Sequence, residues 1–390
     1  MYAWQRTEPE GYRKTLPHTK PAASLPIAPR GARLCARLVT PRVSGAALLA
    51  LLLPAQAAAC TGFHVATSSI PSLRNPTELV ALDFDGDGER DVVSLHRDSA
   101  TLGVHRVGGD FDVHASSFRL EGIPGQLAPL RDGLVVAFPA DAVVAVVRRD
   151  GPDAVVHRGP ASGLAVADLD RNGTDDIAIA SDRLLLVFQR EDGSFDAPVG
   201  LPLDPRPRTA PTLSLRDLDD DGTTDVIVGM TTGGLDDAIP DHVRAFRNAS
   251  HGRLADETWY RVPWPERVDA GDLDGDGRVD AIAFGREGAW VSFGLGHGWL
   301  GPAHRILAAK ITDGLLVDLD GDARDDVVAI DRDRDAVVLV RSVGPRRFAP
   351  PARLDVGRDP TRVVALPHEH RVLLVAAHAD GLTALRIARR

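Results

Sequence analysis

Short apolar runs alternate with tight polar clusters along most of this chain, and the runs are too short and too rich in β-branched residues to build helices. Leu79-Val80-Ala81-Leu82 and Val92-Val93 stand on either side of the cluster Asp83-Phe84-Asp85-Gly86-Asp87-Gly88-Glu89-Arg90-Asp91. The same arrangement begins again at Asp168, Asp217, Asp272 and Asp318. Aliphatic runs follow each copy at once: Ile177-Ala178-Ile179, Val226-Ile227-Val228, Ala281-Ile282-Ala283 and Val327-Val328-Ala329. Apolar runs of this length bounded by Asp, Gly and Asn predict strand, tight acidic loop, strand.

Each unit continues with a third apolar run, such as residues 184–188 or 336–340, and then a turn and a fourth extended piece, as in Gly193-Ser194-Phe195-Asp196-Ala197-Pro198. Four strands recurring about every 40–55 residues are what a propeller blade requires. The interval from Asp83 to Asp168 is too long for one blade. A degenerate unit fills it: Gln126-Leu127-Ala128-Pro129-Leu130, the turn Arg131-Asp132-Gly133, then residues 134–138 and 142–147. A second degenerate unit follows the Asp318 copy, with Arg362-Val363-Val364-Ala365-Leu366, the loop Pro367-His368-Glu369-His370-Arg371, and runs over 372–376 and 382–387. Five acidic units and two degenerate ones predict an all-β, seven-bladed propeller. The last unit stops at its third strand, while Gly62-Phe63-His64-Val65-Ala66 looks like an outer strand without a blade. It is expected to complete the seventh blade and hide two open sheet edges.

The first 59 residues have a different character. Arg37 and Arg42 precede the apolar stretch 43–53, Pro54 and a small-residue tail, Ala55-Gln56-Ala57-Ala58-Ala59. Basic flank, short apolar core and small tail predict a secretory signal, and the apolar run is too short to span a bilayer. The expected organisation is a leader and signal over 1–59 and a propeller over 60–390, outside the cytoplasm. The residues ahead of the signal are an extended leader or the product of an early start codon. Cys60 follows the tail, and Cys35 lies upstream of it, so the processed chain has no intramolecular disulfide. Cys60 is either a lipid-bearing residue or a leftover thiol; lipoprotein signals usually place Leu three residues before the Cys, where Ala57 stands here. Acidic residues outnumber basic ones, 55 to 45, for a net charge of −10, which argues against nucleic acid as a partner.

The acidic loops have the chemistry of a calcium site. Asp at positions 1, 3 and 5 of a tight turn directs carboxylates at one centre; Gly at position 6 allows positive φ, so that the carbonyl at position 7 faces the ion; Asp at position 9 closes the shell. Hard oxygen donors suit Ca²⁺, and neither imidazole nor thiolate is offered to zinc. The expected ligands are Asp83, Asp85, Asp87 and Asp91; Asp168, Asp170, Asn172 and Asp176; Asp217, Asp219, Asp221 and Asp225; Asp272, Asp274, Asp276 and Asp280; and Asp318, Asp320, Asp322 and Asp326. Asn172 removes one charge, and Ala323 stands where the other loops have Gly. The Asp318 loop is therefore expected to be the weakest of about five sites. These units resemble the FG-GAP or VCBS repeats of the integrin alpha-chain propeller and of many bacterial secreted proteins, from about Gly62 to the C-terminus.

That resemblance places ligand binding on the face opposite the acidic loops. Two segments are expected there: residues 231–241, an insertion in the fourth blade containing Asp236 and Asp237, and Val262-Pro263-Trp264-Pro265-Glu266, which leads to the fifth. Exposed aromatics on adaptable loops hold sugars or peptides; packing of Trp264 between blades is the favoured alternative. Trp259, Trp264, Trp290 and Trp299 all fall in this stretch. Neither a nucleophile elbow, an H-E-x-x-H nor a phosphate-cradling loop occurs, and catalytic residues are not expected. The sequence thus predicts a calcium-bound adhesion module for a carbohydrate, peptide or cell-surface partner, without nucleic acid and without a transmembrane helix in the processed chain. A polysaccharide-active, lyase-like enzyme working on the propeller face and a structural envelope component are the alternatives.

Overall fold

The computed structural model describes residues 64–107, 113–148, 154–204, 206–232, 241–249, 252–368 and 371–388. Of the two units into which the chain divides, Met1–Arg33 lies outside these residues, and everything below belongs to Leu34–Arg390. The signal region, Cys60, Asp236, Asp237, Glu369 and His370 also lie outside them.

The apolar runs form seven four-stranded antiparallel sheets. Their inner strands are, in order, Glu78–Leu82, Gln126–Leu130, Gly163–Ala167, Thr212–Arg216, Pro265–Gly271, Ile311–Val317 and Arg362–His368. Each inner strand touches the next, and Arg362–His368 touches Glu78–Leu82, so the blades close into a ring. We number the blades 1 to 7 in that order. Within blades 1 to 6 the chain runs outward, strand by strand, and then crosses to the next blade. Blade 7 takes its second and third strands from Arg371–His378 and Gly381–Ala388 and its outer strand from His64–Ile70, with His64 paired to Ala388 and Ile70 to Leu382. The expected closure by the N-terminal strand is what the fold contains. Both degenerate units are complete blades, and the seventh has longer second and third strands than the apolar pattern indicated.

The second strands show why the pattern is so apolar. Asp91–His96, Gly133–Phe138, Asp225–Met230, Asp280–Gly285 and Asp326–Asp331 are buried along their whole length. A sheet packed on both faces needs continuous hydrophobic residues rather than alternation. Successive side chains enter opposite gaps: Val93 and Leu95 pack toward blade 2 with Leu134 and Val136, whereas Val92 packs toward blade 7 with Leu373 and Val375. Every one of the seven gaps between blades holds such an apolar cluster.

Polar contacts stitch the inner ring across the closure. Arg362 donates to both oxygens of Glu78, at 2.7 and 2.9 Å, joining blades 7 and 1. The Val363 amide donates to Asp313 Oδ2 at 2.9 Å, and Leu316 donates to Asp269 Oδ2 at 2.9 Å, joining blades 6 and 7 and blades 5 and 6. Burial works against the charge on Arg362, and Glu78 and Asp313 hold its pKa above the usual arginine range. Burial likewise pushes the Asp313 carboxyl up, against the pull of Arg362 and Arg267. These groups face an axial cavity of about 430 Å³ lined by all seven inner strands.

The gap between blades 7 and 1 also encloses a polar trio on blade 1. Ser94 Oγ lies 2.9 Å from both His96 Nε2 and His105 Nε2, and all three residues are buried. His96 Nδ1 faces the Arg74 carbonyl at 3.1 Å and must donate to it, which leaves Nε2 to accept the Ser94 proton. His105 Nε2 then donates to Ser94, and His105 Nδ1 is buried with no partner. Protonation of His105 would place a charge and an N–H where nothing accepts them. Burial, with His96 beside it, accordingly lowers its pKa from 6.5 to about 4.

Two measurements test this account of the ring. Replacing Arg362 with Met leaves Glu78 without its cation and Asp313 with Arg267 alone, 3.7 Å away, and is expected to cost about 3 kcal/mol in urea unfolding; a loss below about 0.5 kcal/mol would show that the belt does not hold the closure. The neutral His105 contributes stability that is complete above pH 6.5 and is lost as pH falls from there toward 4. The stability difference between the native chain and His105→Gln should therefore shrink through that window by a few kcal/mol, and a pH-independent difference would refute the assignment.

Candidate metal centres

The five acidic loops share one backbone design. Asp83 accepts the Gly86 amide at 2.6 Å on one oxygen and the Gly88 amide at 3.0 Å on the other. Asp217, Asp272 and Asp318 repeat this with the amides of positions 4 and 6. Asp168 does so with positions 5 and 6. Position 6 takes positive φ throughout, including Ala323 at 67°. Position 4 does as well, through Gly86, Arg171, Asp220, Gly275 and Gly321, a requirement that the uneven residue types at that position hide.

Carboxylate oxygens of positions 1, 3 and 9 come within 4.8 Å of one another in four loops: Asp83, Asp85 and Asp91; Asp168, Asp170 and Asp176; Asp217, Asp219 and Asp225; Asp318, Asp320 and Asp326. In the remaining loop the group is Asp272, Asp274 and Asp276, and Asp280 stands outside it. Asp87, Asn172, Asp221 and Asp322 stand outside the groups of three and accept the amide of position 7 instead. Asp219 Oδ1 and Asp320 Oδ1 are buried with no hydrogen-bond partner.

The position 9 aspartates do more than face the centre. One oxygen of each accepts the amide of position 2, as Asp225 does from Leu218 at 2.8 Å. The other accepts an amide at the end of the third strand or just beyond it: Val107, Gln189, Asn248, Gly294 and Ser342, at 2.7 to 3.2 Å. Each carboxylate thus ties its loop to the sheet. Burial pushes Asp176 and Asp225 up to about 6 and Asp280 and Asp326 up to about 7, and the other carboxylates of each loop add to the rise.

Two features were not legible from the sequence. Arginines reach the position 3 carboxylates in four loops: Arg106 to Asp85 at 3.0 Å, Arg247 to Asp219 at 3.7 Å, Arg346 to Asp274 at 3.3 Å and Arg341 to Asp320 at 3.3 Å. Each of three loops is also held by the following blade. Asn248 Nδ2 donates to Leu169 O at 2.7 Å, Ser342 Oγ donates to Leu273 O, and the blade 5 hairpin lies so close to the Asp217 loop that a side chain at Gly298 would meet Asp219 Cβ at 3.4 Å. Where blade 2 lacks an acidic loop, Arg131 reaches across to the Asp168 loop, with Nη1 3.0 Å from Gly173 O.

The opposite face carries Trp264, whose backbone sits at φ 47°. Its amide donates to Asp241 Oδ2 at 3.2 Å, and Asp241 Oδ1 accepts from Thr232 at 2.9 Å, so this carboxylate joins the two ends of the blade 4 insertion to the connection into blade 5. The Arg286 guanidinium lies over the indole, 5.4 Å from its centroid, and the ring is half-buried. The four tryptophans do not form one site. Trp259 lies on the outer strand of blade 4 against His242 and Arg244. Trp299 is on a hairpin at the acidic-loop face. Among the described residues no helix is long and apolar enough to cross a membrane.

No family model matches the chain, and no curated protein does. Solved structures match its fold. A lectin from Agrocybe aegerita that recognises non-reducing terminal N-acetylglucosamine is 18% identical, with a TM-score of 0.52 over 72% of this chain and 81% of that one. Virginiamycin B lyase from Staphylococcus aureus is 10% identical, with a TM-score of 0.56 over 84% of this chain and 100% of that one. BBS1N, in complex with ARL6DN, is 13% identical, with a TM-score of 0.55 over 82% and 93%. At these identities the likeness is one of architecture, and the chain is a seven-bladed β-propeller.

The loop geometry yields a paired prediction. Ala323→Gly should raise stability by about 0.5–1 kcal/mol, the relieved strain less the chain entropy that a glycine adds. Gly277→Ala should lower it comparably, and since a Cβ there meets nothing within 4 Å, the cost is conformational alone. Thermal melts of the two variants moving in the same direction would refute the role assigned to position 6.

Proposed function

We propose that this chain is an exported propeller of the FG-GAP or VCBS kind, stiffened by calcium, that presents the face opposite its acidic loops to a carbohydrate, peptide or cell-surface partner. The observation that carries the cation reading is the repeated meeting of three carboxylates, with buried unpartnered oxygens on Asp219 and Asp320. An all-oxygen donor set with no imidazole or thiol fits a hard divalent ion. Such an ion would be held by the expected loop residues, Asp217, Asp219 and Asp225 for example, and would supply charge neutralisation between carboxylates that otherwise repel. Arg247 and Arg341 would have to yield part of their hold on Asp219 and Asp320.

The binding reading rests on the opposite face, where the Asp241 carboxylate ties Thr232 to Trp264; Asp236 and Asp237 lie between Thr232 and Asp241 in the sequence. Propellers of this architecture include the N-acetylglucosamine lectin and BBS1N bound to a protein, and both support a binder. The Ser94, His96 and His105 trio is 2% exposed or less, and the His378 Nε2 to Thr383 Oγ1 contact at 3.0 Å lies on side chains 9% exposed or less, so both are closed to a substrate. Binding is therefore preferred to catalysis here.

Calcium at a hundred times its dissociation constant should add about 2.7 kcal/mol for each site filled, seen as a rise in melting temperature of several degrees that a chelator reverses; superimposable melts would remove calcium from the account. The ligand is tested by screening the chain against glycans and envelope polymers. Binding that falls at least tenfold in Trp264→Ala is the expected result, and retention of full affinity in that variant would move the site elsewhere.

A further inference from the structure

We propose that the Asp272 loop departs from the other four: Arg346 of blade 6 reaches across the blade boundary and supplies, in place of a cation, the positive charge that this loop needs. The inference rests on the calcium reading of the other loops and narrows it at this one. In the sequence nothing sets the loop apart, since Asp272-Leu273-Asp274-Gly275-Asp276-Gly277-Arg278-Val279-Asp280 has Asp or Gly wherever the motif asks for it. The geometry does set it apart. Here the carboxylates that meet are Asp272, Asp274 and Asp276, whereas position 9 replaces position 5 in the other four groups. Two of the three are already paired, with Arg346 Nε 3.3 Å from Asp274 Oδ2 and Arg278 Nη1 3.0 Å from Asp276 Oδ2. The second oxygen of Asp274 accepts the Asp276 amide at 3.3 Å, while Asp219 and Asp320, at the same position, each keep a buried oxygen without a partner. The Asp274 side chain is 4% exposed, against 21%, 16% and 17% for Asp85, Asp219 and Asp320.

Arg346 is delivered by a hairpin, Ser342–Gly344 with Arg347–Phe348, that is additional to the four-stranded sheet of blade 6. Blade 5 has a hairpin of the same register, Gly294–Gly296 with Trp299–Leu300, and there Gly298 stands at the turn position of Arg346. Both turn residues are left-handed, with φ of 75° and 54°. Glycine takes that conformation freely and arginine does so under strain; the carboxylate that Arg346 reaches accounts for an arginine there. Although 55% of its side chain is exposed, the guanidinium is steered by the Phe293 ring, whose centroid lies 4.8 Å away. Phe293 explains why the charge is borrowed. Arg106, Arg247 and Arg341 precede the residues whose amides bond position 9 in blades 1, 4 and 6, and in blade 5 that place belongs to Phe293. Blade 3 has Phe188 there, but the next blade lays Gly252 against it and brings no guanidinium.

Blade 6 closes the same loop by other means as well. The Asp325 amide donates to Asp272 O at 2.8 Å, the Asp272 amide donates to Asp325 Oδ2 at 3.1 Å, and Ser342 Oγ donates to Leu273 O. The Arg324 stem lies so near that a side chain at Gly275 would meet it at 2.9 Å. A cation entering this loop would have to share Asp274 with one guanidinium and Asp276 with another, and like charges at such range repel. The joint between blades 5 and 6 therefore holds with protein groups alone and stays shut when calcium is withdrawn. Removing the guanidinium at position 346 turns the loop into the cation site that its sequence describes.

The test counts calcium ions bound per chain by equilibrium dialysis against radioactive calcium. Arg346→Gly suits the left-handed turn, as Gly298 does in blade 5, and should bind one ion more than the native chain; Arg346→Gln should do the same if the glycine variant melts early, and Arg346→Lys, which keeps the charge, should bind as the native chain does. Adding Asp274→Asn to Arg346→Gly should abolish the extra ion, while Asp274→Asn alone leaves the native count unchanged. By contrast Asp170→Asn should weaken one site of the native chain about tenfold or more, since affinity follows the number of charged ligands. The proposal is overturned if neither neutral variant at 346 gains an ion, or if Asp274→Asn takes one from the native chain. The calcium reading of the other loops fails separately: a native chain that binds no ion ends it, and a gain in Arg346→Gly would still uphold the role of Arg346.

Discussion

The constraint on which everything else depends is that each sheet is buried on both faces. A four-stranded sheet in water can leave one side wet, but the second strands here leave none, and each needs a blade on either side of it. A row of such sheets ends only by meeting itself. The apolar clusters between blades supply the drive, and the Arg362 to Glu78 pair with the Asp313 and Asp269 contacts sets the register at which the ring shuts. The polar trio of Ser94, His96 and His105 lies in that same closing gap, where an apolar interface alone would tolerate sliding.

Against this frame the acidic loops are inter-blade joints as much as candidate ion sites. Position 9 binds the turn to the end of the third strand, and the following blade lays a side chain or hairpin over the loop in the Asp168, Asp217 and Asp272 units. Filling or emptying one loop would therefore be felt by two blades. The position 3 arginines explain how crowded carboxylates coexist in the fold, since guanidinium groups already offset part of their charge.

Much of this was legible in the residues themselves. Five nine-residue loops in register, with aliphatic runs on both sides, sufficed for the strand order and the ring. An unpaired strand at one end and a missing one at the other sufficed for the closure. What escaped was whatever depends on the angle between blades: the arginines on position 3, the clamp of Asn248 on Leu169 and of Ser342 on Leu273, and the division of tryptophans between faces. Trp264 and Trp299 are near in sequence and on opposite sides of the propeller, because the chain crosses from one face to the other with every strand. Position 4 escaped for another reason. Arg171 and Asp220 adopt positive φ there without a glycine to announce it.

The pairing of His64–Ile70 with Gly381–Ala388 makes time part of the design. The first strand of the propeller has no partner until the last strand has been made, so during synthesis its edge waits open for almost the whole length of the chain. Contacts between such distant segments form late and slowly. Six blades can assemble as an open arc, and only the arrival of the C-terminal strand turns that arc into a closed body. The protein thus carries its own mark of completion: a chain released early lacks the strand that seals it, and keeps open sheet edges that make it prone to aggregate.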